Sequence, residues 1–156
     1  MDNLEPNIRN AARALIIRDN HVLLLHKGGD EQGERYAFPG GAQDPGETLQ
    51  QALLRECYEE IGTQVEILDL IHVADFFKQR SGPPPSIRHQ IEFLFSCGVP
   101  DSYEPQNGPR PDSHQLNVIW ARLDELSDMK VLPESIASWL TEPHRTNNKV
   151  YQGLIT

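Results

Sequence analysis

GAQDPGETLQQALLRECYEEIGT, residues 41–63, opens as a turn and closes as a helix. Thr48 and Gln51 have the spacing of a capping box and Gly62 is a C-terminal stop, so the pattern predicts a helix over 48–61. Leu49, Ala52, Leu53, Cys57 and Ile61 form its apolar stripe. Glu56, Glu59 and Glu60 lie off that stripe at offsets of three and four, within an arc of about 100°. Massed like charge destabilises a bare helix, and a divalent cation is the natural remedy. An all-carboxylate set suits Mg²⁺ or Mn²⁺ rather than zinc or copper. Cys57 reads as a small core residue rather than a nucleophile, because nothing beside it in sequence supplies an activating base.

Upstream, Tyr36-Ala37-Phe38-Pro39-Gly40-Gly41 leads into the helix, with its two aromatics on one face of an extended segment. Before it, AARALIIRD and HVLLLHK are β-rich runs separated by Asp19-Asn20, a hairpin signal. Residues 22–25 are nearly continuous apolar, as in a strand covered on both faces. Residues 1–9 read as a loose arm. Downstream, 65–78 and 88–99 are strand-like, joined by a proline-rich connecting loop over 79–86. Residues 100–115 form a long polar loop of a kind more often functional or mobile than inert. A last core strand ends at Trp120, a short turn or helix covers 122–126, and 133–140 is a helix with proline in its first turn. A polar tail follows from Glu142, with a short strand at Val150-Tyr151. Strands and helices do not alternate strictly, so the order predicts a mixed sheet with helices on both faces. The length fits a single domain over 1–156.

The formal charge of −9 argues against a stable nucleic-acid complex, although bound metal can reverse the field for a small anionic substrate. No apolar run approaches the ~20 residues that span a bilayer. MDNLEPNIRN lacks the basic-then-apolar pattern of a secretory signal. Cys57 and Cys97 make neither a disulfide framework nor a metal spacing. A cytoplasmic protein without a membrane partner is the expectation.

The opening stretch resembles the signature of the Nudix hydrolases: glycine, five residues, glutamate, seven residues, arginine-glutamate, an aliphatic residue, any residue, two glutamates, any residue, glycine, an aliphatic residue. Gly41, Glu47, Arg55, Glu56, Glu59, Glu60 and Gly62 stand at those spacings. Cys57 and Thr63 depart from it, at aliphatic positions only. The flanks are similar too, with paired strands before the box and a late strand ending in Trp120. The resemblance implies the Nudix fold, an α/β/α sandwich around a central mixed β-sheet with a catalytic loop-helix-loop. It also implies hydrolysis of the pyrophosphate bond in a nucleoside diphosphate linked to another moiety, using Mg²⁺ or Mn²⁺. That moiety could make the substrate a nucleoside triphosphate or a nucleotide sugar such as ADP-ribose.

By the same resemblance, Glu56 and Glu60 are metal ligands, and Glu56 is also a candidate base for the attacking water. Glu59 would hold metal directly or through water, with Glu47 and the Gly41 carbonyl close by. Arg55 would orient the carboxylates by ion pairing. A further acid or base often comes from a late loop in this family, where Asp101, Glu104, Asp112 and His114 are candidates; histidine is the residue type most often used for proton transfer near neutral pH. His89 and Glu92 are weaker candidates of the same kind. His21, His26, His72 and His144 have no pattern behind them.

For the substrate, Tyr36, Phe38, Phe76, Phe77 and Tyr103 are candidates to stack a base, while Trp120 and Trp139 read as core. Arg13, Arg35, Arg80 and Arg88 are candidates for phosphate or ribose. ADP-ribose-hydrolysing members tend to carry a proline downstream of the box, where this chain has Lys78-Gln79. A non-catalytic regulator that binds a nucleotide or sugar nucleotide is the competing reading. Such proteins commonly have degraded glutamates, and these are intact. The family also suggests a homodimer, with the N-terminal arm or an edge strand at its interface.

Overall fold

The computed structural model describes residues 2–142 and 149–156. Strands β1 (Arg9–Arg18) and β2 (His21–Lys27) pair antiparallel across Asp19-Asn20. Both turn residues have positive φ, 50° and 61°, the backbone that matches the twist of a tight hairpin. β1 leaves β2 after two residue pairs and runs on in parallel beside β6 (Ser86–Gly98), from Arg9 opposite Gln90 to Ile16 opposite Cys97. β6 is the return arm of a hairpin with β5 (Glu66–Arg80), and β9 (Tyr151–Ile155) adds to β5 in parallel. On the other side, β2 pairs with β7 (Gln115–Arg122) and β3 (Arg35–Ala37). β3 meets β8 (Val131–Leu132), and β4 (Gly40–Ala42) pairs with β1. The main path runs β8-β3-β2-β1-β6-β5-β9.

Period-two alternation gives this sheet two apolar faces. Ala12, Ala14 and Ile16 of β1, Leu23 and Leu25 of β2, and Phe95 and Cys97 of β6 pack with Leu53, Cys57 and Ile61 of α1 (Leu49–Ile61). Their alternates Leu15, Val22, Leu24 and Leu94 pack on the opposite side with Ile136 of α2 (Glu134–Thr141) and Leu126 of the 3₁₀ turn Leu123–Asp128. Val22, Leu23, Leu24 and Leu25 are all fully buried, which is why their run is continuously apolar. The expected α/β/α layering with a mixed sheet is therefore present.

Three local expectations change. The arm over 1–9 is tied down: the Glu5 N–H donates to Ile87 O at 2.9 Å and the Ile87 N–H to Asn3 O at 2.8 Å. The Glu5 carboxylate accepts from Ser86 and Arg88. The strands around the proline loop reach Arg80 and Ser86, which leaves a shorter connection than 79–86. Trp120 is half-buried, with the Arg18 guanidinium 5.1 Å from its ring centroid. The tail read from Glu142 is described only in part, and His144 lies outside the described residues. No helix among the described residues is long and apolar enough to cross a membrane.

Candidate active site

The box helix is set at both ends. The Thr48 side chain accepts from the Gln51 N–H at 3.1 Å, and the Gln51 side chain accepts from the Thr48 N–H at 2.9 Å. Gly62 ends the helix at φ 76°. Its last carbonyls are then taken by the 100–115 loop. Gly108 N–H donates to Glu60 O at 2.9 Å, Arg110 N–H to Glu59 O at 2.8 Å, and Tyr103 Oη to Ile61 O at 2.7 Å. Gln115 Nε2 adds a second bond to Glu60 O. The long loop is thus the cap that fixes the acidic end of α1. Nothing local in the sequence marked Gln115 for this part.

Arg55 organises the carboxylates. Its Nε and Nη2 grip both oxygens of Glu47 at 2.7 and 2.9 Å, Nη1 holds Glu56 Oε1 at 2.9 Å, and Nη2 reaches Ala42 O at 3.0 Å. Glu59 is 3.6 Å from Nη1. Planar bidentate pairing of this kind is the strong form of an arginine–carboxylate contact. Hydrogen bonds from Arg55 and then from the Asp44 N–H hold the Glu47 carboxyl down to about 2. Both Glu47 oxygens accept from these donors, so Glu47 anchors Arg55 in this geometry.

Glu56 and Glu60 have the opposite electrostatics. Burial pushes the Glu56 carboxyl up, opposed by Arg55 and reinforced by Glu59. Glu60 is 2% exposed, and burial drives it well above the usual carboxylate range against a 2.8 Å hydrogen bond from Gly40 N–H to its Oε1. Arg13 bridges to the same corner, donating from Nη1 to Gly40 O at 2.9 Å. Burial works against its charge, but Glu92, Glu60, Asp112 and Glu56 outweigh that and raise it.

Among the described residues, no three acidic, histidine or cysteine side chains converge on one point as a closed metal cage. Arg55 and the Gly40 N–H occupy the oxygens instead. The residues nonetheless fit a hard divalent cation. The donors are all carboxylate oxygens, Glu60 is a buried acid whose ionisation is opposed by burial and by the nearby carboxylates of Asp112 and Glu56, and Gly41 leaves a hollow against Glu56. A Cβ at Gly41 would lie 2.7–2.9 Å from the Glu56 carboxylate atoms, so only glycine leaves that carboxylate where it is.

The late loop divides. Asp112 approaches the box corner and accepts from Lys27 Nζ at 2.8 Å. Burial opposes its ionisation, but the Lys27 ammonium wins and holds it below its ordinary value. His114 turns elsewhere: its Nε2 is 3.5 Å from Asp30, in the loop between β2 and β3 rather than among the glutamates. Asp101 and Glu104 are exposed, on the segment whose Pro100 and Tyr103 carbonyls bind Arg18.

The aromatic candidates also divide. Phe38, 1% exposed, belongs to the core under α2 and is not placed to stack a ligand. Tyr103 is likewise buried and holds Ile61. Tyr36 is half-buried and stacked on His26 at 5.0 Å. Phe77 packs edge-on against His89 on the α1 face. Phe76 is half-buried on the opposite face of the sheet, directly across from Gln90. Arg35 is fully engaged with Asp30, and Arg88 and Arg80 share Glu5.

A family model described as "NUDIX domain" matches residues 7–141. "Nucleoside triphosphatase NudI" of Enterobacter sp. is 42% identical over 55 residues, 33% of this chain and 39% of that protein. "CTP pyrophosphohydrolase" of Escherichia coli is 28% identical over 124 residues, 79% of this chain and 82% of that one. The chain spans between a third and about half the length of several other curated relatives it matches. Among solved structures, a MutT NUDIX hydrolase from Burkholderia pseudomallei superposes with a TM-score of 0.65 at 26% identity, covering 84% of this chain and 95% of that one. The spacing of the box, the layered fold that carries it and the match over most of the chain agree: this chain belongs to the Nudix family.

Proposed function

We propose that this chain is a metal-dependent pyrophosphohydrolase that cleaves the pyrophosphate bond of a nucleoside diphosphate derivative, a nucleoside triphosphate or a nucleotide sugar. The observation that carries this reading is the Arg55 clamp, which holds Glu47, Glu56 and Glu59 together at the mouth of the Gly40-Gly41 turn. The names of the relatives, a nucleoside triphosphatase and a CTP pyrophosphohydrolase, point to the same substrate class.

Glu56, Glu59 and Glu60 would hold Mg²⁺ or Mn²⁺, which when bound screens the pyrophosphate charge and activates water. Glu56 has its Oε1 fixed by Arg55, which leaves Oε2 to take a proton from the attacking water. Its raised affinity for protons suits a general base. Arg55 keeps that oxygen pointed by holding its twin and is a positioning residue. Arg13, which bridges Gly40 O and Glu92 beside the glutamates, would supply positive charge to the substrate's phosphates. Asp112, held ionised by Lys27, is better placed than His114 to assist at the glutamate corner.

The test is release of phosphate or nucleoside monophosphate from a broad nucleotide panel with Mg²⁺ or Mn²⁺. Glu56→Gln and Glu60→Gln should each lower kcat by about 10²-fold or more while the circular dichroism spectrum stays unchanged. Wild-type turnover in both variants refutes the assignment.

A further inference from the structure

Glu92 is the outstanding buried group that the reading above leaves without a task. It sits on β6, 2% exposed, between Ala11 of β1 and Ala74 of β5. Its Oε1 lies 3.4 Å from Arg13 Nε, and its Oε2 is buried with no hydrogen-bond partner. A buried carboxylate oxygen left unpaired is costly, and native proteins rarely keep one without use. Cross-strand register shows what surrounds it. Arg9, Ala11 and Arg13 of β1 share a face with Arg88, Gln90 and Glu92 of β6 and with Ala74, Phe76 and Lys78 of β5. This strip continues the α2 face of the sheet past Leu94 and ends at the glutamate corner, where Arg13 holds Gly40. The strip therefore offers cations for phosphate, one aromatic ring, and one spare acceptor on its floor.

We propose that this strip is the nucleoside subsite, in which Phe76 carries the nucleobase and Glu92 Oε2 accepts a hydrogen bond from the base's exocyclic amino group. This rests on the reading of the cleft as a nucleotide-hydrolysing site. An ionised carboxylate can only accept, so it selects a donor and rejects a carbonyl in the same place. The ring favours a base over the sugar as the source of that donor. Phe76 stands opposite Gln90, one place along from Glu92, near enough for a base stacked on it to reach the floor. Arg13 pairs with Glu92 Oε1 and Lys78 lies near enough to feel the charge of both, so these are the long side chains that a base must displace to reach Oε2.

The experiment compares nucleotides that differ in one donor: cytidine, adenosine and guanosine triphosphates against the same compounds lacking the exocyclic amine, and ribose against deoxyribose. Both kcat/KM with Mg²⁺ and the calorimetric affinity of the non-hydrolysable methylene forms are measured, for wild type and Glu92→Gln. In at least one pair the wild type should prefer the amine by about ten- to a hundredfold, the range of a hydrogen bond to a charged group. Glu92→Gln should cut that preference about tenfold or more and leave the ribose-to-deoxyribose ratio as it was. A merely structural partner of Arg13 would alter all substrates alike, so an unchanged amine preference in Glu92→Gln overturns the proposal. So does a wild type indifferent to the amine in every pair, a result that needs no variant. A change in the ribose ratio alone moves the contact to the sugar and also overturns it. If the methylene forms bind with the expected selectivity but no nucleotide is turned over, the subsite stands and the hydrolase reading falls. If no nucleotide binds, both fall.

Discussion

Gly41→Ala separates the chemistry of the box from its stability. The Gly41 backbone is not in the left-handed region, so alanine suits its conformation. The added Cβ would lie 2.7 Å from Glu56 Cδ, and ordinary contact begins at 3.4 Å, so the carboxyl must withdraw by about 0.7 Å. The clash falls on the end of a flexible side chain, 18% exposed, and not on backbone. The fold should therefore hold, with Tm within about 4 °C of wild type. The 2.9 Å bond from Arg55 to Glu56 Oε1 is broken or redirected by such a shift. Misplacing a reacting group by around 1 Å can cost about 10²-fold in rate, equivalent to about 2.7 kcal/mol. Turnover on the best nucleotide with Mg²⁺ should fall by that order, chiefly in kcat. Gly40→Ala is the contrast: its Cβ would lie 2.0 Å from the Ala12 carbonyl oxygen at φ +130°, so it should lose stability first. A Gly41→Ala enzyme with kcat within about threefold of wild type, or one whose loss tracks unfolding, refutes the reasoning.

Arg55→Lys should lower kcat by about ten- to a hundredfold with a small change in Tm, because an ammonium cannot hold both Glu47 oxygens, Glu56 and Ala42 at once. Thr48→Ala removes one half of the capping box and should cost about 1 kcal/mol, or about 2–4 °C in Tm, with kcat little altered. Acidification should show two opposite trends. Glu47, depressed to about 2, contributes stability that is full above its ordinary 4.5 and lost as pH falls towards 2. Glu56 and Glu60 bind protons in the fold that the unfolded chain releases, so metal-free stability should fall as pH rises above 4.5. Added Mg²⁺ relieves that loss, so its Tm increment in scanning fluorimetry should be larger at pH 8 than at pH 5. An equal or reversed increment contradicts this account.

The box helix was legible because its signals are local. Its cap, its apolar stripe and its terminal glycine all lie within 48–62, and each is present where the spacing put it. The same holds for the Asp19-Asn20 hairpin and for the doubly covered run at 22–25. What failed depended on partners distant in sequence. The arm at 1–9 has few local features, yet Asn3 and Glu5 bind the backbone of Ile87. Tyr36 and Phe38 do share a face, as their spacing of two predicts, but that face packs against the cluster under α2, whose other members lie far away in sequence, and this buries Phe38 rather than offering it to a ligand.

The strip proposed to face the substrate was the least legible part, for a related reason. The net charge of −9 describes the whole chain, and it says nothing about what one face of one sheet gathers. Arg9 and Arg13, Arg88, and Lys78 and Arg80 lie in three separate stretches of sequence. Parallel pairing of β1 with β6 and antiparallel pairing of β6 with β5 put them on one face. Proximity there shows in the charges: the surrounding protein first, then Arg13 and Lys27, hold the Lys78 ammonium below its ordinary value. Cations that repel one another at this range gain from an anion between them. Bulk charge therefore governs how the protein behaves in solution, while strand register governs what it can recognise. The carboxylates came from a motif that any reader of the chain can count, whereas their cationic counterpart exists only after the sheet has formed.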